Sequence, residues 1–175
     1  MTTEPNSDEN RAFVQSAVER HQAPLLRYAT RLLHGDVERA RDTVQDTFMR
    51  LLAQPRAAVE DHLAEWLFTV CRNRTLDYLR KEGRVSFFEE GQAERLIAPE
   101  PHPDRQVERA EAHATMLAQL EKLPRNQQEV VRLKFQNGFS YKEISRITSL
   151  SVTNVGFILH TALARLRKEM TALPE

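Results

Sequence analysis

The sequence predicts an all-α fold, two small helical domains joined by an extended acidic linker, the C-terminal one containing a helix-turn-helix. Three observations carry that prediction. Only five of the 175 residues are Gly, while Leu, Ala, Arg, Glu and Gln dominate, a composition that favours helix over sheet. Apolar residues recur at three- and four-residue spacing through most of the chain. The pattern then collapses across "APEPHPDRQ", where Pro99, Pro101 and Pro103 exclude both a helix and a central strand. The boundaries that follow are residues 11–84 for the first domain, 85–106 for the linker and 107–175 for the second domain.

The first helix runs from Phe13 to Leu33, with Ala17, Val18, Leu25, Leu26, Ala29 and Leu32 at helical spacing and a kink or restart expected at Pro24. "HGD" at 34–36 stops it, and Asp36 is suited to cap the next helix. That helix places Ala40, Val44, Phe48, Leu51 and Leu52 on one face and breaks at Pro55. A third helix, about Leu63 to Arg80, buries Trp66, Leu67, Val70 and Leu79. Trp66 lies in that stripe and reads as core rather than as a stacking platform. The single cysteine, Cys71, excludes an internal disulfide and reads as core filler in a reducing compartment.

Helical spacing resumes at Val107, Ala110, Ala114, Leu117 and Leu120, and Pro124 at a first-turn position opens another helix. Asn137-Gly138 ends it, Gly suiting a left-handed cap. Ser140 and Glu143 form an S-x-x-E capping box for a short helix that turns Ile144 and Ile147 inward. "TSLS" turns the chain, and Ser151 caps a longer helix with Val155, Leu159, Ala162 and Leu166 on its inner face. A short helix, a tight turn and a longer helix make a helix-turn-helix. Only "MTALPE" follows, so no further domain is expected.

The net charge of zero conceals an alternation: −3 over residues 1–10, +3 over 11–84, −4 over 85–122 and +4 over 123–175. Two basic segments separated by an acidic one suit a protein that touches nucleic acid at two places. No apolar run approaches the roughly 18 residues of a membrane span, and the polar N-terminus lacks the apolar core of a signal peptide, so a cytoplasmic location is expected. The six His residues form no H-E-x-x-H or Cys/His cluster, and neither a Gly-rich phosphate loop nor G-x-S-x-G occurs. An enzyme, a metal site and a cofactor are therefore not expected.

The presumptive reading helix is unusual. Ser151, Thr153 and Asn154 at its N-terminal end can hydrogen-bond, and Asn pairs bidentately with adenine in the major groove. Its middle places Gly156, Phe157, His160 and Thr161 outward, with Ile158 marginal, and no positive charge until Arg165. Phe157 suits a thymine methyl or a partner protein, and Gly156 suits a close approach of the DNA backbone. His160 reads as a DNA or phosphate contact. Lys142, Arg146, Arg165, Arg167 and Lys168 flank the helix as phosphate contacts.

"ARDTVQDTFMRLL" followed by "AEWLFTVCRNRTLDYLRKEGR" closely resembles the extracytoplasmic-function (ECF) group of sigma-70 family RNA polymerase sigma factors. "LEKLPRNQQEVVRLKFQNGFSYKEISRITSLSVTNV" resembles their C-terminal domain. The resemblance implies a sigma factor that binds core RNA polymerase, directs it to promoters and assists opening, with the β′ clamp helices, the β flap and promoter DNA as partners. An anti-sigma factor commonly covers the polymerase-binding surfaces of such proteins. Asp42, Gln45, Asp46 and Arg50 match the polymerase-binding helix. Arg72, Asn73, Arg74, Asp77, Arg80, Lys81 and Arg84 match the helix that holds the melted −10 strand, Asp77 either contacting DNA or orienting Arg74 or Arg80. Flipped-base selection belongs to the loop before that helix, residues 54–62. The linker is implied to thread towards the RNA exit path, with Phe87 and Phe88 either anchored to polymerase or completing the first domain.

For the −35 element the matching residues are Lys142, Arg146, Ser151, Thr153, Asn154, Phe157, His160 and Arg165. Many family members carry Lys or Arg where this chain has Gly156, Ile158 and Thr161, which predicts weaker −35 affinity and greater reliance on the N-terminal domain or on an accessory protein. The competing reading is a stand-alone helix-turn-helix regulator that binds duplex DNA without polymerase.

Overall fold

The computed structural model describes residues 7–83 and 116–171, and these are helical with no strand among them. The linker at 85–106, Arg84, and the helical positions Val107, Ala110 and Ala114 lie outside the described residues. The chain divides into two compact units, an N-terminal one that runs to residue 85 and is joined by Arg146–Thr148, and a C-terminal one made of the rest.

The N-terminal unit packs α1 (Ser7–Leu32), α2 (Val37–Leu52) and α3 (Leu63–Lys81) against one another. Of the kink or restart expected at Pro24, the restart does not occur: α1 runs through it as one helix. Proline costs a helix one backbone hydrogen bond, and here buried Leu25, Tyr28 and Ala29 directly after it hold the turn in place. His34 and Gly35 then adopt positive φ, and Asp36 accepts a hydrogen bond from the Arg39 N–H at 3.1 Å to start α2. α2 buries Ala40, Val44, Thr47, Phe48 and Leu51, whereas Leu52 is exposed rather than internal. Two 3-10 turns, Arg56–Ala58 and Glu60–His62, connect α2 to α3 around buried Val59.

α3 buries Leu67, Phe68, Cys71, Thr75, Leu76 and Leu79, with the Phe68 ring 5.0 Å from that of Tyr28. This stripe is rotated from the expected one: Trp66 and Val70 are only half-buried. Cys71 is fully enclosed, and burial pushes its thiol up to about 12 despite hydrogen bonds with Thr47 and Thr75 that act in the opposite direction.

The C-terminal unit comprises helical residues 116–121 (α4), α5 (Arg125–Phe135), α6 (Tyr141–Thr148) and α7 (Val152–Thr171). Pro124 stands at the N-cap of α5, one place before the expected first-turn position. The Gln128 side-chain amide donates to the Leu123 carbonyl at 2.8 Å and the Glu121 carbonyl at 3.0 Å, tying α5 to the end of α4. Gly138 takes positive φ beyond α5. α5 packs on α7, and the core gathers Val130, Leu133, Ile144, Val155, Leu159 and Ala162.

Candidate functional site

The helix-turn-helix is built by local hydrogen bonds before any packing is considered. Ser140 Oγ accepts from the Glu143 N–H at 3.3 Å, and the Glu143 carboxylate accepts from the Ser140 N–H at 2.7 Å, closing the capping box in both directions. Ser149 reverses the chain with φ +61°, and Ser151 Oγ accepts the Asn154 N–H at 3.1 Å to start α7. The axes of α6 and α7 bend by 103°, within the range of helix-turn-helix units.

α7 presents Ser151 and Thr153 exposed and Asn154 half-exposed at its leading end. Ser151 Oγ accepts one hydrogen bond in the cap, which leaves its hydroxyl hydrogen and a second lone pair to offer a ligand. Phe157 and His160 are half-buried, while Arg165 is exposed two turns further on. Lys142 and Arg146 are exposed one turn apart on α6. Two expectations for the middle of α7 are corrected. Ile158 is buried at 4% exposure, so a base at this position would stand in the core. Gly156 does not present an open approach, because the Tyr141 ring lies over it: a Cβ built there would stand 3.5 Å from Tyr141 Cε2.

On α3, Asn73, Asp77, Arg80 and Lys81 form one exposed stripe, at intervals that keep them on one side of the helix. Asp77 Oδ1 accepts from Arg80 Nη1 at 3.2 Å, so of the two arginines it was expected to orient it holds Arg80. Arg74 is half-exposed beside the stripe and pairs instead with Asp46 of α2, Nε to Oδ2 at 2.6 Å. Arg72 departs from the group. It is buried at 8% exposure on the core side of α3, which makes it a structural residue rather than one that faces DNA. The C-terminal end of the stripe is fixed by Arg39, whose guanidinium lies 4.3 Å over the Tyr78 ring and pairs with Glu82 at 2.7 Å. Sequence periodicity does not reveal that clamp, since its partners come from opposite ends of α2 and α3.

α2 brings Asp42, Gln45, Asp46 and Arg50 to one face, as expected, and Arg50 Nε donates to Asp46 Oδ2 at 3.0 Å. Met49 belongs to the same face at 59% exposure and was missed. Beside it an open groove of about 670 Å³ runs between α1 and α2, lined by Val14, Val18 and Leu26 on one wall and Val44, Met49 and Leu52 on the other. The signal that would have found it is the apolar excess of α2: Met49 and Leu52 extend the hydrophobic surface past what the core absorbs. The loop over residues 54–62 is ordered by the Arg56–Glu60 ion pair at 2.7 Å and by Arg56 lying 5.3 Å over the Phe13 ring.

This geometry comprises an acidic and apolar face on α2, a basic stripe on α3 and a helix-turn-helix. Residues 17–85 match sigma-70 region 2 and residues 113–166 match sigma-70 region 4. The chain is 30% identical over 174 residues to the ECF RNA polymerase sigma factor EcfG of Rhodopseudomonas palustris, covering 97% of this chain and 87% of that protein. It is 28% identical over 165 residues to the RNA polymerase sigma factor YlaC of Bacillus subtilis, covering 93% and 94%. With the ECF sigma factor SigM of the same bacterium it shares 30% identity over 133 residues, 75% of this chain and 80% of SigM. Two regions matched in order, with relatives aligned along most of both chains, establish that the protein belongs to the ECF group of the sigma-70 family of RNA polymerase sigma factors.

Proposed function

We propose that this sigma factor binds core RNA polymerase through the exposed face of α2, holds the melted −10 strand along α3 and reads the −35 element with α7. The observation that carries the reading is the exposed stripe of Asn73, Asp77, Arg80 and Lys81 with Arg74 beside it. Three bases meet one acid there, and that acid is already engaged with Arg80. Melted DNA offers phosphates to such a row, and Asn73 supplies a donor and an acceptor to a base edge.

The polymerase-facing surface joins Asp42, Gln45, Asp46 and Arg50 to exposed Met49 and Leu52 and the groove behind them. Apolar anchors ringed by polar groups are what a protein interface requires. The β′ clamp helices are the occupant we assign to this surface and the β flap a second contact, made by the C-terminal unit. An anti-sigma factor would act by covering the α1–α2 groove. At α7, phosphate contacts from Lys142, Arg146 and Arg165 position the helix, and Ser151, Thr153 and Asn154 contact bases. Phe157 and His160, half-buried, add at most an edge contact, so base reading rests on the first turn of α7.

The test is multi-round transcription with purified core polymerase, with and without this protein, on a library of host genomic fragments. Discrete transcripts that need both components, lost on joint replacement of Arg74 and Arg80 by Ala while polymerase binding persists, are expected. Tight binding to duplex DNA alone, with no affinity for core polymerase, would sink the proposal and favour a stand-alone regulator.

A further inference from the structure

From Val152 to Ala164, α7 carries neither Lys nor Arg. Its centre is nevertheless not bare, because two other elements reach over it. A Cβ at Gly156 would meet Tyr141 Cε2 at 3.5 Å and Cδ2 at 3.9 Å, ordinary van der Waals distances, so the ring rests on the helix at the glycine. Tyr141 opens α6 directly after the capping Ser140 and remains 42% exposed. Lys134, in the last turn of α5, sets its Nζ 5.5 Å from the Tyr141 ring centroid, inside the range of cation–π attraction.

Neither polar group is used internally. Among the described residues the Tyr141 hydroxyl has no hydrogen-bond partner, and Lys134 has no carboxylate partner. A ring fixed on one side by a glycine and on the other by an ammonium, with both donors left over, is prepared for an external acceptor. In helix-turn-helix proteins the first helix crosses the DNA backbone, and Tyr and Lys are among the side chains that contact phosphates there.

We propose that Tyr141 and Lys134 are phosphate contacts that supply, from α6 and α5, the donor and the positive charge missing from the centre of the reading helix, with Gly156 the small residue that seats the ring. The inference rests on the reading that α7 binds duplex promoter DNA. It makes the pair a sequence-independent anchor, while Asn154 and its neighbours at the start of α7 read bases.

The experiment measures the affinity of holoenzyme, assembled from core polymerase and the full chain, for the upstream duplex of a promoter recovered in the transcription assay. Titrations are repeated across salt concentrations. Tyr141→Phe keeps the ring, its seat on Gly156 and the cation–π contact, and removes only the hydroxyl. It is expected to weaken binding about fivefold on all upstream sequences alike. Lys134→Gln is expected to weaken binding similarly and to lower the slope of log affinity against log salt by about 1. Lys134→Arg should retain both affinity and slope. Thermal unfolding and polymerase affinity should stay at wild-type values in all three, which a purely structural role for the pair would not combine with weakened DNA binding. Unchanged affinity and slope in Tyr141→Phe and Lys134→Gln, with the wild type bound, would overturn the inference alone. A wild-type holoenzyme that gave no upstream protection would overturn the reading of α7 and the inference with it.

Discussion

Asp46 and Arg74 are joined across the packing of α2 on α3, Arg74 Nε standing 2.6 Å from Asp46 Oδ2. The same oxygen holds Arg50 Nε at 3.0 Å one turn along α2. A residue assigned to polymerase thus shares an ion pair with one assigned to melted DNA. Both side chains are about two-fifths exposed, so the pair adds less than about 1 kcal/mol to stability. Its effect is positional: it aims the Arg74 guanidinium and ties it to the helix we assign to polymerase binding.

Asp46→Ala should therefore impair two steps. It should weaken competition for core polymerase and also reduce promoter opening at saturating polymerase, because Arg74 loses its guide. Arg74→Ala should reduce opening and leave polymerase affinity intact. The double variant should open promoters no worse than Arg74→Ala alone, since partners in one interaction are non-additive. Permanganate reactivity of the −10 thymines reads opening, and additive losses would show that the ion pair plays no part.

Arg72 and Arg80 separate a buried arginine from an exposed one, which we assign to DNA, on the same helix. Arg72 is buried at 8% exposure and has an interaction partner, whereas Arg80 is exposed. Removing a buried, partnered charge leaves its partner groups uncompensated, so Arg72→Ala should cost about 3 kcal/mol in urea unfolding. Arg80→Ala should stay within about 0.5 kcal/mol of wild type and lose opening activity instead. An Arg72→Ala protein of normal stability that failed only in opening would return this residue to the DNA-binding group.

What the sequence disclosed follows from the range of the forces involved. The caps at Asp36, Ser140 and Ser151 act over three residues, so a short string of letters contains both partners. The span of α3 was legible because Pro55 and the apolar repeat bracket it. Its burial was legible only in part: Leu67, Cys71 and Leu79 are inside as expected, but a 3.6-residue period admits neighbouring stripes, and only the packing of α1 and α2 selects Phe68 and Leu76 over Trp66 and Val70. The helix does not restart at Pro24 for a related reason, local propensity yielding to tertiary packing. Gly156 looked like a gap made for DNA because the ring that fills it comes from another helix.

Cys71 offers a chemical check on the N-terminal core. With its thiol pushed up to about 12 by burial, almost no thiolate exists at neutral pH, and the thiolate is the reactive form. Labelling by an aromatic disulfide reagent should be negligible in the native protein and should follow the unfolding curve as urea is added. Rapid labelling without denaturant would mean that α1, α2 and α3 part readily around this position.

The capping box predicts an asymmetry between two substitutions at one residue. Glu143 serves the box through a carboxylate oxygen that accepts the Ser140 N–H, and Gln retains such an oxygen. Glu143→Gln should therefore be nearly neutral, whereas Glu143→Ala leaves the N–H without its partner. Ser140→Ala removes the other half of the box, at a cost of about 1 kcal/mol. Hydrogen exchange resolves the effect by location: the first turn of α6 should lose protection in Ser140→Ala and Glu143→Ala, with α1 to α3 unchanged. Because Tyr141 is the first residue of that turn, the same two variants should also weaken upstream DNA binding, and Glu143→Gln should not. Equal exchange in all three variants would mean that tertiary packing, not the box, sets the start of α6.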